Sequence, residues 1–145
     1  MKIEKFEMQH YQETVELWRK VGIGIGSSDT KDEVEAVLTR NPNLFLIGKK
    51  DGKIISSVIG TSDGRRGYVH HLAVDPSYQK KGYGKMIMEE LIEIFRDMKV
   101  HKIHLLIQKT NRKVVKFYSK LGWETRDDLF MMSYVPNKKL YKRNL

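Results

Sequence analysis

The stretch Val69-His70-His71-Leu72-Ala73-Val74-Asp75-Pro76-Ser77-Tyr78-Gln79-Lys80-Lys81-Gly82-Tyr83-Gly84-Lys85 decides how the chain folds. Tyr68 to Val74 is a β-rich run closed by Asp75-Pro76, and it reads as a strand. From Gly82 the period changes. Met86, Ile87, Leu91, Ile94 and Phe95 recur at helical spacing with Glu89, Glu90, Glu93 and Arg96 opposite, which predicts an amphipathic helix over Gly82 to Met98. Lys102 to Ile107 reads as a strand again, and the strand-helix-strand unit predicts a right-handed parallel crossover. Between the first strand and the helix lies Gln-x-x-Gly-x-Gly. Amides at a helix N-terminus lack intrahelical partners and carry partial positive charge, and glycines let a ligand come close. With Lys80, Lys81 and Lys85 added, the segment is a candidate phosphate cradle.

Working outward, Lys2 to Phe6 alternates like a short strand, and Tyr11, Val15, Trp18 and Val21 mark an amphipathic helix after it. Gly22 to Thr30 is a loop whose Asp29 or Thr30 can cap a second helix running to about Arg40, with Val34, Val37 and Leu38 inward. Gly22, Gly24 and Gly26 imitate a dinucleotide fingerprint, but no strand leads into them. Asn43 to Gly48 and Lys53 to Gly60 form a hairpin across an Asp51-Gly52 step, and a second turn at Ser62 to Gly67 leads back to Tyr68. Past the crossover, Asn111 to Leu121 reads as a helix and Trp123 to Val135 as a strand pair interrupted at Asp127-Asp128. Met131 and Met132 are assigned to the core. The order predicts one mixed-sheet α/β (α+β) domain over residues 1–145.

Composition narrows the chemistry. The chain has 145 residues, a formal charge of +9 and no cysteine, so disulfides, thiolate metal sites and cysteine nucleophiles are excluded together. Acidic and basic side chains balance up to Tyr78, so the whole excess of positive charge lies in the second half. A one-sided basic surface suits a polyanion, either nucleic acid or a phosphate-rich small molecule. Nucleic acid would call for an exposed basic recognition helix or an aromatic base-stacking stretch, whereas the basic helix Arg112 to Lys120 carries its aromatics, Phe117 and Tyr118, within the Asn111 to Trp123 motif. No apolar run approaches membrane-spanning length, and no secretory leader is legible, so the expected setting is the cytoplasm without membrane contact. His10, His101 and His104 are scattered, and no metal site is expected.

Gln79, Gly82 and Gly84, directly after a strand ending Leu72-Ala73-Val74, resemble the acetyl-coenzyme A signature (Arg/Gln)-x-x-Gly-x-(Gly/Ala) of the GCN5-related N-acetyltransferases. Asn111-Arg112-Lys113-Val114-Val115-Lys116-Phe117-Tyr118-Ser119-Lys120-Leu121-Gly122-Trp123 is similar to the same family's second signature, with Val114 for the usual Ala and Trp123 for Phe. The resemblance covers essentially the whole chain. It implies a mostly antiparallel central sheet with one parallel crossover and helices on both faces, and acetyl-coenzyme A as cofactor. It implies transfer of an acetyl group to a primary amine of a small molecule or a protein by direct attack in a ternary complex, the rival being an acyl-coenzyme A sensor without turnover. A homodimer is a family expectation.

Residue by residue, the resemblance implies that Leu72, Ala73 and Val74 offer backbone hydrogen bonds to the pantetheine arm. Gln79, Lys80, Lys81, Gly82, Tyr83, Gly84 and Lys85 would cradle the pyrophosphate, Asn111 and Phe117 would contact the cofactor, and Lys113, Lys116 or Lys120 would hold the outer phosphate. Tyr118 would stand at the sulfur as general acid. His70 is the expected base, with His71 and a chain of waters as alternatives, since a bulge in the strand would change which side chain faces the acceptor. Trp18, Ser28, Asp29 and Asp63 are the acceptor-side candidates, an aspartate there being able to attract an ammonium group.

Overall fold

The computed structural model describes residues 1–145. Five strands form one sheet in sequence order: β1 (Lys2–Lys5), β2 (Phe45–Lys50), β3 (Lys53–Ser62), β4 (Gly67–Val74) and β5 (Ile103–Leu105). The first three pairings are antiparallel and β4 pairs with β5 in parallel. The helices are α1 (Tyr11–Lys20), α2 (Lys31–Arg40), α3 (Tyr83–Asp97) and α4 (Arg112–Lys120).

Period-two alternation in the central strands sends side chains into two cores, one on each face of the sheet. Phe45, Ile47 and Ile59 pack with Val15, Leu17 and Trp18 of α1 and Val34 of α2. Leu46, Val58 and Val69 pack on the other face with Ile87, Met88, Leu91 and Phe95 of α3 and Tyr118 of α4. Within α3, Met88 is buried where the periodic pattern favoured Met86, which is 42% exposed. Thr30 caps α2 by accepting the Glu33 N–H at 3.4 Å, and Asp32 and Glu33 in its first turn with Arg40 in its last complement the helix dipole.

Lys20 of α1 reaches Asp75 at the end of β4 at 2.7 Å, tying the first helix to the strand that enters the glycine loop. No helix is long and apolar enough to cross a membrane.

The expected strand pair over Trp123 to Val135 does not form. Residues 124–134 lie in irregular chain, and Phe130 is 99% and Met132 91% exposed, with Met131 also out in solvent. The methionines are therefore not core. Alternation is present, but a strand needs a ladder partner as well as a pattern. Here Arg126 instead closes locally on Asp128 through two hydrogen bonds. The accessible surface, 10412 Å², exceeds the roughly 7,700 Å² of a compact chain of this mass, consistent with the open run after Trp123. The final residues return to the first half: Lys142 O accepts from Ser27 N at 2.8 Å, and Leu145 N donates to Ile25 O at 2.7 Å.

Candidate active site

Two departures from regular sheet geometry create the site. β4 pairs with β5 only through Gly67, Val69 and the residue between them, so beyond Val69 the two strands part and that edge of β4 is unpaired. The second departure is a bulge. Ser57 pairs with Ala73 and Ile59 with His70, leaving His71 and Leu72 together opposite Val58. His71 takes φ +49°, a left-handed conformation that a side chain with a Cβ rarely adopts. The bulge changes the parity of the strand: Leu72 turns to the α3 face, and both imidazoles stand on the α1 face.

At the end of β4, Gln79 Nε2 donates to Val74 O at 2.9 Å, and the chain enters α3 through Lys80 at φ +61° and Gly82 at φ +85°. Only glycine takes the latter without strain, and a Cβ at Gly82 would meet nothing within 4 Å, so that position opens onto free space. The first bond of α3 runs from Met86 N to Gly82 O, which leaves the amides of Tyr83, Gly84 and Lys85 free. Gly84 lets the helix start sit close to its neighbours: a Cβ there would lie 3.3 Å from Phe117 Cζ and 3.5 Å from Val74 Cγ2. Lys80, Lys81 and Lys85 are exposed around these amides. Lys50 at the end of β2 joins them by donating to Tyr83 Oη at 2.8 Å. Sequence reasoning missed Lys50, because nothing in a hairpin residue announces proximity to a helix thirty residues later.

Free amides at a helix start, a glycine facing open space and a basic rim fit a pyrophosphate, and the unpaired edge of β4 fits an extended amide-bearing arm. Asn111 is exposed just before α4 and makes no capping bond with its side chain. Phe117 and Tyr118 meet edge to face at 5.1 Å, and Tyr118 meets Trp123 at 5.8 Å. Tyr118 is buried among the α3-side core residues, and burial pushes its phenol up to about 12, so it is protonated throughout the neutral range.

On the opposite face, His71 Nε2 lies 2.7 Å from Asp29 Oδ1, and the Trp18 ring and the imidazole meet in a T-shaped contact with their centroids 4.9 Å apart. Burial alone would raise the Asp29 pKa, but the bonds from His71 and the Gly26 N–H prevail and hold it below the usual value. His70 is exposed, with Nε2 3.3 Å from Thr61 Oγ1. The protein around its ring and the adjacent His71 lower its pKa, against the opposing pull of Asp29.

Of the acceptor-side candidates, Asp29 and Trp18 are brought to the bulge, though Trp18 is fully buried and donates to Ser57 Oγ at 3.0 Å. Ser28 is exposed beside Asp29. Asp63 is elsewhere, binding the amides of Arg65 and Arg66 in the β3–β4 turn.

Comparison with known proteins agrees with this geometry. The model of the acetyltransferase (GNAT) family matches residues 9–123. An acetyltransferase of Yersinia pestis (strain Pestoides F) is 28% identical over 131 residues, covering 90% of this chain and 93% of its own. An acetyltransferase of Pectobacterium atrosepticum is 30% identical over 127 residues, covering 88% and 90%. Among solved structures, the PaiA N-acetyltransferase from Thermoplasma acidophilum in complex with coenzyme A superposes with a TM-score of 0.78 at 19% identity, over 87% of this chain and 91% of that one. The family model spans both glycine-loop and α4 motifs, and the chain belongs to the acetyltransferase (GNAT) family as an acetyl-coenzyme A-dependent N-acetyltransferase.

Proposed function

We propose that the protein acetylates a primary amine by direct attack in a ternary complex, the amine approaching from the α1 face and the sulfur departing toward Tyr118. The observation that carries this reading is the parting of β4 from β5 beyond Val69, with a protonated phenol on one face of the sheet and imidazoles on the other. Leu72 to Val74 hold the pantetheine arm along the open edge of β4. The amides of Tyr83, Gly84 and Lys85, with Lys50, Lys80, Lys81 and Lys85 around them, hold the pyrophosphate, and Asn111 and Phe117 border the arm from α4. Bound acetyl-coenzyme A supplies an activated acyl group. The protein's own task is to position it, shield the reacting carbon, and manage charge at the nitrogen and the sulfur.

Both tasks have a size. An alkylamine with a pKa of ~10.4 is neutral to less than one part in about a thousand at pH 7, which is worth roughly 4–5 kcal/mol. A proton acceptor on the α1 face meets that demand, and His70 and His71 stand there. At the other end, a thiolate of reference pKa ~8.5 accumulates charge as it leaves, and a hydrogen bond from Tyr118 Oη stabilises it.

The test is release of free thiol from acetyl-coenzyme A against a panel of polyamines, aminated sugars, lysine peptides and peptide N-termini. The reading expects at least one amine to give saturable thiol release with an equal amount of acetylated amine. Tight cofactor binding without release on any amine would favour a sensor and overturn it.

A further inference from the structure

We infer that Asp29 and His71 form an acceptor-side pair in which His71 Nδ1 receives the proton of the attacking amine and Asp29 holds the ring in the tautomer that can do so. The inference rests on the transferase reading above and adds to it the identity of the base. A carboxylate only accepts, so the 2.7 Å contact requires His71 Nε2 to carry a proton and donate it to Asp29 Oδ1. That leaves the Nδ1 lone pair free. Nδ1 has no protein partner, and 26% of the side chain stays open.

Asp29 is itself fixed: its other oxygen accepts the Gly26 N–H at 2.9 Å, and its main-chain carbonyl accepts from Tyr11 Oη at 2.7 Å. The ring is held in turn by its T-shaped contact with Trp18. His71 sits two residues past the last β4–β5 pair, where the strands open, and it is held at a positive φ that the bulge imposes. Strain of this kind persists only where the surroundings enforce it, and it clusters at functional positions.

The other titratable groups facing the pair are His70 on β4 and Tyr11 on α1, with Arg19 acting on Tyr11. His70 bonds to the Thr61 hydroxyl rather than to a carboxylate and so has no group that fixes its tautomer. In the step, the nitrogen–carbon bond forms as the thioester carbon–sulfur bond breaks. The amine's proton passes to Nδ1 and on to solvent, and the sulfur leaves as a thiolate beneath the Tyr118 hydroxyl, taking its proton from solvent. His71 is the catalytic residue of the pair, and Asp29 is its positioning residue.

His71→Gly is the variant of choice, because φ +49° suits glycine and the fold is kept while the imidazole is lost. We expect kcat/KM for the amine to fall at least about a hundredfold, with the Kd for acetyl-coenzyme A within about threefold. Added imidazole should restore thiol release. Restoration should fail in the His71→Gly, Asp29→Asn double variant. A ¹H–¹⁵N imidazole spectrum of the free protein supplies a readout without turnover: a protonated Nε2 and bare Nδ1 at His71, an assignment lost in Asp29→Asn.

Activity within about threefold of the parent in His71→Gly, rescue that does not need Asp29, or a protonated Nδ1 in the neutral ring would each overturn the pair. If the parent protein released no thiol with any amine, the transferase reading would fail instead, and the spectrum would still decide the geometry of the pair.

Discussion

Replacing Tyr118 by Phe removes one oxygen from the α3-side core and nothing else. That hydroxyl has no protein hydrogen bond, and the ring packs between Phe117 and Trp123, so stability should change by less than about 1 kcal/mol. The effect on rate follows from the phenol's position at about 12. Full proton transfer to a thiolate of reference pKa ~8.5 would be uphill by roughly 5 kcal/mol, so Tyr118 acts chiefly as a hydrogen-bond donor to charge that develops on sulfur. Removing one such preorganised donor costs about 3 kcal/mol, or roughly a hundredfold in kcat. The assay is thiol release at saturating acetyl-coenzyme A, with calorimetric Kd values for both proteins. The expected result is the loss in kcat with Kd unchanged within about threefold, and no basic limb traceable to Tyr118 below about pH 11. Full activity in the Phe variant would refute the reasoning. So would a basic limb near pH 9 that vanishes in the variant, since the phenol would then titrate far below where burial places it.

Three further outcomes follow from other parts of the chain. Gly82→Ala forces a Cβ onto φ +85° at a cost of about 1–2 kcal/mol; the first amides of α3 should lose alignment, raising the acetyl-coenzyme A Kd about tenfold by calorimetry. Thr14→Val replaces a hydroxyl that is buried without a partner, and a denaturant titration should show a gain of about 1 kcal/mol. Lys20→Met tests the pairing that holds the buried Asp75: the Lys20 hydrogen bond lowers the Asp75 pKa in the folded state. Its stabilisation is therefore present above the ordinary aspartate value and lost as pH falls through the depressed one. The variant raises that folded-state value, so its acid-unfolding midpoint, followed by Trp fluorescence, should move to higher pH.

The sequence made the scaffold of the site readable because its demands are local. A strand, an Asp-Pro stop, glycines at fixed offsets and a long apolar helical face each leave a mark within a few residues. The Asn111 to Trp123 signature did the same for α4 and Tyr118. What stayed hidden depends on relations between distant segments. The bulge is a matter of two residues standing opposite one, so no inspection of β4 alone could say that His71 joins His70 on the α1 face. The Asp29 contact spans 42 positions, and Asp29 had the local appearance of a helix cap. Lys50 entered the phosphate-side cluster by tertiary proximity alone. The expected strands over Trp123 to Val135 fail for the converse reason: the alternation is there, but no neighbouring edge takes the ladder up.

The most direct measurement is calorimetric titration with acetyl-coenzyme A at two salt concentrations, with thiol release then measured in the same sample on addition of amines. The account predicts micromolar binding that weakens as salt screens the lysines around the α3 N-terminus, followed by release with at least one amine. Absence of binding at both salt concentrations would contradict the assignment of the glycine loop and the open β4 edge to the cofactor.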